Sequence, residues 1–162
     1  MSNQTSEQNK DESHIPEIFL KPYDPAQHED KLYAAWEESG YFNPDVCIEK
    51  GVTTADAKPF SIVLPPPNVT GTLHMGHASM LAIQDIMIRH ARMSGKKALW
   101  IPGTDSAAMA TQSKVEGIIY KKEKLRRADI GREALLDRID EFVEESKNTI
   151  INQTKKMGSS LD

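Results

Sequence analysis

The sequence predicts an α/β protein with a parallel sheet. Two short apolar runs, Phe60-Ser-Ile-Val-Leu64 and Lys97-Ala-Leu-Trp-Ile101, both stop at proline, and apolar residues at helical spacing fill the stretch between them. This strand–helix–strand order is typical of a βαβ unit, whose two strands run parallel. A chain of 162 residues, 38% of them hydrophobic, is long enough for one domain with a modest core.

Composition narrows the class of protein. No window approaches the roughly 18 apolar residues that a membrane-spanning helix needs, and the polar N-terminus lacks the apolar region of a signal peptide, so we expect a cytoplasmic protein. The single cysteine, Cys47, excludes an internal disulfide and any multi-cysteine zinc or iron–sulfur site. A net charge of −4 gives no overall basic field, so any contact with RNA must be local.

The N-terminal third predicts a tail, a helix and a loop. Residues 1–19 are polar and acidic with little to bury, so we expect a disordered tail and place the folded unit at 20–162. Asp24-Pro25 predicts a capped helix over 25–39 that stops at Gly40. Residues 44–58 mix turn formers with charge and predict a loop.

Three further helices follow from apolar residues three and four apart. The first runs over 73–93 and closes at Gly95, with Met80, Ile83, Met87 and Ala91 as its apolar stripe. The second runs over 106–122, with Met109, Val115, Ile118 and Ile119 on its apolar side. The third runs over 130–157, with Leu135, Ile139, Phe142 or Val143, and Ile150 at helical spacing.

Residues 65–77, PPPNVTGTLHMGH, join the end of the first strand to the start of a helix. Ligands of open α/β sheets bind at the carboxyl ends of strands, and a helix N-terminus there favours an anion such as phosphate. His74 and His77 fall on one side of that helix, and Gly76 between them would let a flat ring lie against the backbone. The alternative is that two histidines at a helix start are surface or capping residues.

Other kinds of site have less support. The glycine patterns of P-loop ATPases and of dinucleotide dehydrogenases do not occur. A zinc site needs a third and usually a fourth ligand, and Cys47 and His90 lie elsewhere, so we predict no protein-bound metal. Asp105 follows the second strand, at the same sheet edge as the histidines, and could bind an ammonium group, although an aspartate before a helix is commonly an N-cap.

A group of basic residues around position 120 gives a weaker indication. A local basic patch could follow an RNA backbone, but cations at a helix C-terminus are favourable on dipole grounds alone. We therefore prefer a solvated helix end and loop. The seven residues are Lys114, Lys121, Lys122, Lys124, Arg126, Arg127 and Arg132.

The segment PPPNVTGTLHMGHA resembles the HIGH motif of class I aminoacyl-tRNA synthetases, written here His74-Met75-Gly76-His77. The preceding Asn68-Val69-Thr70-Gly71 is similar to the valyl-tRNA synthetases in particular. The blocks YAAWEESGYFNPD, MIRHARMSGKKALWIPGTD and INQTKKMGSSLD agree, so the likeness spans about residues 20–162.

This resemblance implies a fold and an activity. Residues 20–162 would form the HIGH half of the catalytic nucleotide-binding domain, the N-terminal part of a Rossmann-like (HUP-type) parallel sheet with flanking helices, and incomplete. Valine and ATP, with Mg²⁺, would give valyl-adenylate and pyrophosphate. Transfer of valine to tRNA(Val) would follow.

The resemblance also assigns roles to residues. His74 and His77 would be catalytic and contact the ATP phosphates, and Thr72 and Gly76 would help to hold the nucleotide. Pro65, Asn68 and Asp105 would receive valine, with Asp105 at the strand end opposite the phosphates. The whole HIGH region comprises Pro67, Asn68, Val69, Thr70, Gly71, Thr72, Leu73, His74, Met75, Gly76 and His77.

Two departures from the family pattern stand out. Ser106 and Ala108 replace a usual histidine and glycine after Gly103-Thr104-Asp105, which we expect to weaken valine or adenylate binding while Ser106 caps the next helix. Family members are also several times longer and have a second, lysine-bearing motif, which Lys156-Met157-Gly158-Ser159-Ser160 does not match in position. We therefore expect an N-terminal fragment. The alternatives are an inactive nucleotide-binding fragment and an interaction half-domain that needs a complementing C-terminal portion.

Overall fold

The computed structural model describes residues 15–162, so most of the predicted tail lies outside the described residues. Glu17–Leu20 form a short 3-10 helix. The first α-helix, α1, spans Pro25–Glu38, within one residue of its prediction. The Asp24 carboxylate accepts a hydrogen bond from the amide of Ala26 at 3.1 Å and so caps the helix as expected.

A second helix, α2, spans Pro44–Glu49, where the sequence predicted a loop over 44–58. That prediction is wrong for its first six residues. The side-chain oxygen of Asn43 accepts hydrogen bonds from the amides of Asp45 and Val46, at 2.8 and 3.2 Å, and Pro44 fits the first helical position. Cys47 is buried on the inner side of this turn. Capping chemistry and one buried side chain outweigh the polar composition of the segment.

The two predicted strands pair in parallel. The first strand, β1, spans Pro59–Val63 and the second, β2, spans Lys97–Ile101, with Ile62 opposite Trp100. The pairing extends to the residue before the prolines, because the amide of Leu64 donates to the carbonyl of Ile101 at 2.9 Å. The predicted βαβ unit is confirmed.

The helix between the strands, α3, spans Met75–Met93 and covers one face of the sheet. Its predicted apolar stripe is partly wrong, because Ile83 and Met87 are 61% and 48% exposed. The buried side contains Gln84 instead, whose carboxamide oxygen accepts from the indole of Trp100 at 3.1 Å. The first core is formed by Leu64, Leu81, Ile88, Ala91, Ala98 and Trp100.

Three helices follow the sheet: α4 spans Ala108–Glu123, α5 spans Arg127–Ile130 and α6 spans Arg132–Lys156. The single helix predicted over 130–157 is broken at its start, because Gly131 has a φ of +78°. Val115, Ile119 and Leu135 form a second core, whereas Met109, predicted on the apolar side, is exposed. Within the described part of the chain, no helix is long and apolar enough to cross a membrane.

A polar network fastens the segment after α6 to α3. The guanidinium of Arg92 donates to the hydroxyl and the carbonyl of Ser160, at 2.6 and 2.9 Å, and to the carbonyl of Phe42 at 3.0 Å. The Asp85 carboxylate accepts from the amide and the hydroxyl of Ser160, at 2.9 and 2.7 Å. Burial lowers the pKa of Arg92, and the nearby Asp85 opposes that effect. The end of α6 is thus held against α3.

Two isoleucines on α3 give a matched test of the buried stripe. Ile88 is fully buried and Ile86 is 68% exposed, two positions away on the same helix. We expect Ile88→Ala to lower the free energy of unfolding by about 2–5 kcal/mol, through lost burial and a residual cavity. Ile86→Ala should change it by less than about 0.5 kcal/mol. Urea unfolding followed by circular dichroism measures both, and equal effects would refute this packing.

Candidate functional site

The chain segments that leave β1 and β2 continue side by side beyond the strands. The amide of Asp105 donates to the carbonyl of Pro67, and the amide of Val69 donates to the carbonyl of Asp105, each at 2.9 Å. Asn68 and Asp105 therefore form an isolated parallel bridge. Val69, the residue after Asn68, is fully buried and holds this bridge in place. The structure thus brings together two of the residues predicted to receive valine.

The Asp105 side chain stabilises a turn. Its Oδ1 accepts a hydrogen bond from the amide of Ala107 at 2.9 Å, and the residue is otherwise exposed. The alternative, that Asp105 is simply the N-cap of α4, is wrong. The residue directly before α4 is Ala107, which has a φ of +47°, and no side chain caps that helix. A carboxylate can accept about four hydrogen bonds, so this turn leaves acceptor capacity for a ligand.

The expected capping role of Ser106 is wrong. The position that precedes α4 belongs to Ala107, and Ser106 uses its carbonyl instead, accepting from the hydroxyl of Thr111 at 2.5 Å. Its side chain lines an open depression of about 510 Å³ between α4 and α6. The side chain of Ser106 therefore does not cap α4.

His74 and His77 cap the start of α3 and lie against each other. The Nδ1 atom of His74 accepts from the amide of Gly76 at 3.1 Å, and the Nδ1 atom of His77 accepts from the amide of His74 at 3.2 Å. The two ring centroids are 3.9 Å apart. The capping alternative is therefore present in the structure, and it orients both rings.

The capping contacts define the chemical state of the two imidazoles. A neutral imidazole carries its proton on one nitrogen, so an Nδ1 atom that accepts a hydrogen bond leaves the proton on Nε2. Burial, and secondly repulsion by His74 when its own ring is protonated, lower the pKa of His77. The capped pair therefore presents two Nε2–H donors.

Gly76 makes room for the ring of His74. A Cβ atom on residue 76 would lie 3.0 Å from Cε1 and 3.1 Å from Nδ1 of His74, closer than side chains normally pack. The flat ring expected against Gly76 is thus, in this structure, an imidazole. A nucleotide base at that position would have to share the space with His74.

The loop between β1 and α3 holds the remaining predicted residues. Pro65 and Thr72 are exposed, and their predicted roles rest on the resemblance alone. Leu73 packs on the first core, and its amide donates to the side-chain oxygen of Gln153 in α6 at 2.9 Å. Gln153 was not predicted from the sequence, since no local pattern links residues that are 80 positions apart.

The basic residues near the end of α4 lie on an exposed stretch. Residues 120–129 are all exposed, and the charged groups of Lys124 and Arg126 lie 5.5 and 5.8 Å from the ring of Tyr120. A role in RNA contact stays a prediction.

Comparison with known proteins identifies the family of the chain. A family model described as tRNA synthetases class I (I, L, M and V) matches residues 31–162. The chain is 47% identical over 145 residues to the valine–tRNA ligase of Caulobacter vibrioides and 46% identical over 144 residues to that of Clostridium tetani. The valine–tRNA ligase of Chlamydia felis is 44% identical over 146 residues.

These alignments cover about nine tenths of this chain but a small part of each relative. The chain spans 15–16% of the length of the three relatives. The family model, by contrast, matches all but the first 30 residues of the chain. The chain belongs to the class I tRNA synthetases of the I, L, M and V group.

Proposed function

We propose that residues 20–162 supply the HIGH half of the catalytic site of a valine–tRNA ligase. In that reaction the carboxylate of valine attacks the α-phosphorus of ATP, valyl-adenylate forms and pyrophosphate leaves. Valine then passes to the 3′ end of tRNA(Val). The observation that carries the proposal is the bridge between Asn68 and Asp105, from which the chain leads into the His74–His77 cap. The names of the relatives support valine as the amino acid.

The start of α3 is proposed to bind the phosphates of ATP. A helix N-terminus favours negative charge, and the capped pair adds two Nε2–H donors, one from His74 and one from His77. Negative charge moves onto the pyrophosphate oxygens as the bond to the α-phosphorus breaks. Donors already in place stabilise that charge without reorganising. Thr72 and Gly76 are proposed to hold the rest of the nucleotide.

Asp105 is proposed to bind the ammonium group of valine. Its carboxylate is exposed and uses Oδ1 for the amide of Ala107, so acceptor capacity remains. The carbonyl of Pro65 and the side chain of Asn68 would complete the contacts to the amino acid. The Asn68–Asp105 bridge keeps two of these groups adjacent.

Mg²⁺ is proposed to arrive with ATP, bound to phosphate oxygens and water. Magnesium commonly binds in this way, through substrate phosphates and few protein groups. In residues 15–162 no group of three or more His, Cys, Asp or Glu side chains is placed to hold a metal ion. We propose the cytoplasm as the location, on the strength of the composition of the chain.

A second candidate is an interaction half-domain. Val63 and Ile101 are register partners, and they are 67% and 40% exposed. Parallel sheets are normally covered on both faces, so this pair favours a complementing chain such as the C-terminal portion of a synthetase. Valine-dependent pyrophosphate exchange, by the chain alone or after that portion is added, supports the first candidate. Aggregation that the added portion relieves, without exchange, supports the second, and ATP binding by a soluble chain without exchange in either case indicates an inactive nucleotide-binding fragment.

Replacing the histidines with capping residues tests the phosphate site. His74→Asn keeps an N-cap acceptor and His77→Gln keeps a side-chain oxygen, but both remove the imidazole. We expect each to weaken MgATP binding at least about tenfold, the value of one charge-assisted hydrogen bond. Titration calorimetry measures the change, with His90→Gln in the last turn of α3 as the control. Unchanged affinity in both variants would refute the site.

Asp105→Asn tests the valine site and keeps an oxygen that accepts from the amide of Ala107. An ammonium–carboxylate bond is worth roughly 1.5–3 kcal/mol, so the valine concentration for half-maximal exchange should rise about 10–150-fold. The ATP requirement should change little. Valine-dependent pyrophosphate exchange, in a chimera completed with a relative's C-terminal portion, gives both values. Equal changes in both requirements would contradict the assignment.

The lowered pKa of His77 predicts a pH dependence of stability. The unfolded chain binds a proton at His77 near the ordinary histidine pKa of about 6.5, whereas the folded chain binds it only at lower pH. Stability should therefore fall as pH decreases from 7.5 through this window. His77→Gln does not titrate and should reduce that fall. Urea midpoints at pH 7.5 and 5.5 give the comparison, and identical slopes for both proteins would contradict the prediction.

A further inference from the structure

We propose that Gln153 is a positioning residue for the His74–His77 pair, acting from α6 on the backbone that precedes α3. Its side-chain oxygen accepts from the amide of Leu73 at 2.9 Å. The inference rests on the proposed function, because the pair matters for catalysis only as a phosphate site. The positioning of the pair itself can be measured in the absence of ATP and valine.

The hydrogen bond to Gln153 restrains Leu73, the residue directly before His74, which is the N-cap of α3. The next amide along the chain, that of His74, donates to Nδ1 of His77 at 3.2 Å. The peptide planes on both sides of Leu73 are thus each held by a side-chain acceptor, one from α6 and one from α3. Because peptide units are planar, restraining both units restricts φ and ψ of Leu73. The position of the His74 backbone follows from those two angles.

The third restraint on Leu73 is its side chain, which packs against the first core. The side chain and both flanking peptide units of residue 73 are therefore each restrained by a separate contact. Its amide is only partly exposed, so losing the Gln153 acceptor leaves a donor with a poor alternative in water. The restraint most easily removed without disturbing the core is therefore the one from Gln153.

Gln153 can act in this way because its end of α6 is itself held. Lys155 forms an ion pair with Glu37 of α1 at 2.7 Å. The hydroxyl of Tyr33, also on α1, donates to the carbonyl of Ser159 at 2.8 Å. These contacts flank Gln153 on its C-terminal side and fix the register of α6 against the rest of the chain.

Three variants separate positioning from packing. Gln153→Met keeps the length of the side chain and removes the acceptor, Gln153→Glu restores an acceptor oxygen, and Asn152→Leu changes the exposed neighbour on the same helix. Long-range ¹H–¹⁵N spectra of the imidazoles report the hydrogen bonding of each Nδ1 atom. Amide hydrogen exchange reports the bond of Leu73.

We expect Gln153→Met to shift the Nδ1 signal of His77 towards that of a free imidazole and to speed exchange at Leu73 about tenfold, the value of one buried hydrogen bond. Gln153→Glu should return the Leu73 exchange and the His77 signal towards those of the unaltered chain. Asn152→Leu should change neither. A His77 signal that is the same in the Met variant and the unaltered chain would overturn the proposal.

Two further measurements keep the test decisive. If Gln153→Met fails to fold, the unaltered chain decides, because an amide of Leu73 that exchanges as fast as that of Gly71 would refute the bond. Addition of MgATP to the unaltered chain should shift both imidazole signals. Imidazole signals that do not change on addition of MgATP would refute the phosphate site and leave the positioning result unaffected. Failure of the proposed function and failure of the positioning proposal are therefore distinguishable.

Discussion

The parallel pairing of β1 and β2 governs the geometry of the whole candidate site, since it continues past the prolines that end each strand. Proline cannot donate to a strand ladder, yet the carbonyl of Pro67 still accepts from the amide of Asp105. The pairing therefore resumes after the interruption, as the bridge between Asn68 and Asp105. Both loops leave the sheet at the same edge because the strands are parallel, and that edge receives the polar residues.

The segment that follows α6 is also bound to the sheet. The amide of Asp162 donates to the carbonyl of Trp100 at 3.2 Å, on the β2 residue that pairs with Ile62. The buried polar network of Arg92, Asp85 and Ser160 holds the same segment to α3. The network joins the helix that carries the histidines to the segment after α6, although the buried Nε atom of Arg92 has no hydrogen-bond partner within residues 15–162.

Much of the fold could be predicted from the sequence because apolar runs and prolines mark the strands directly. The histidines and Asp105 stood out through motif and strand-end position, and the structure adds that both histidines cap α3. The helix over 44–49 was not predicted because the polar composition of 44–58 is typical of a loop, whereas capping by Asn43 and the fit of Pro44 to the first helical position stabilise a helix there. The buried stripe of α3 was misplaced because it contains Gln84. Gln153 could not be predicted, since its contact joins positions that only the folded chain brings together.

The most direct measurement of the central claim is the nuclear Overhauser contact across the bridge. If the pairing resumes beyond the prolines, the amide proton of Asp105 should show a strong contact to the Cα proton of Asn68. Absence of this contact, while those between Ile62 and Trp100 persist, would contradict the account, because the two loops would then leave the sheet independently.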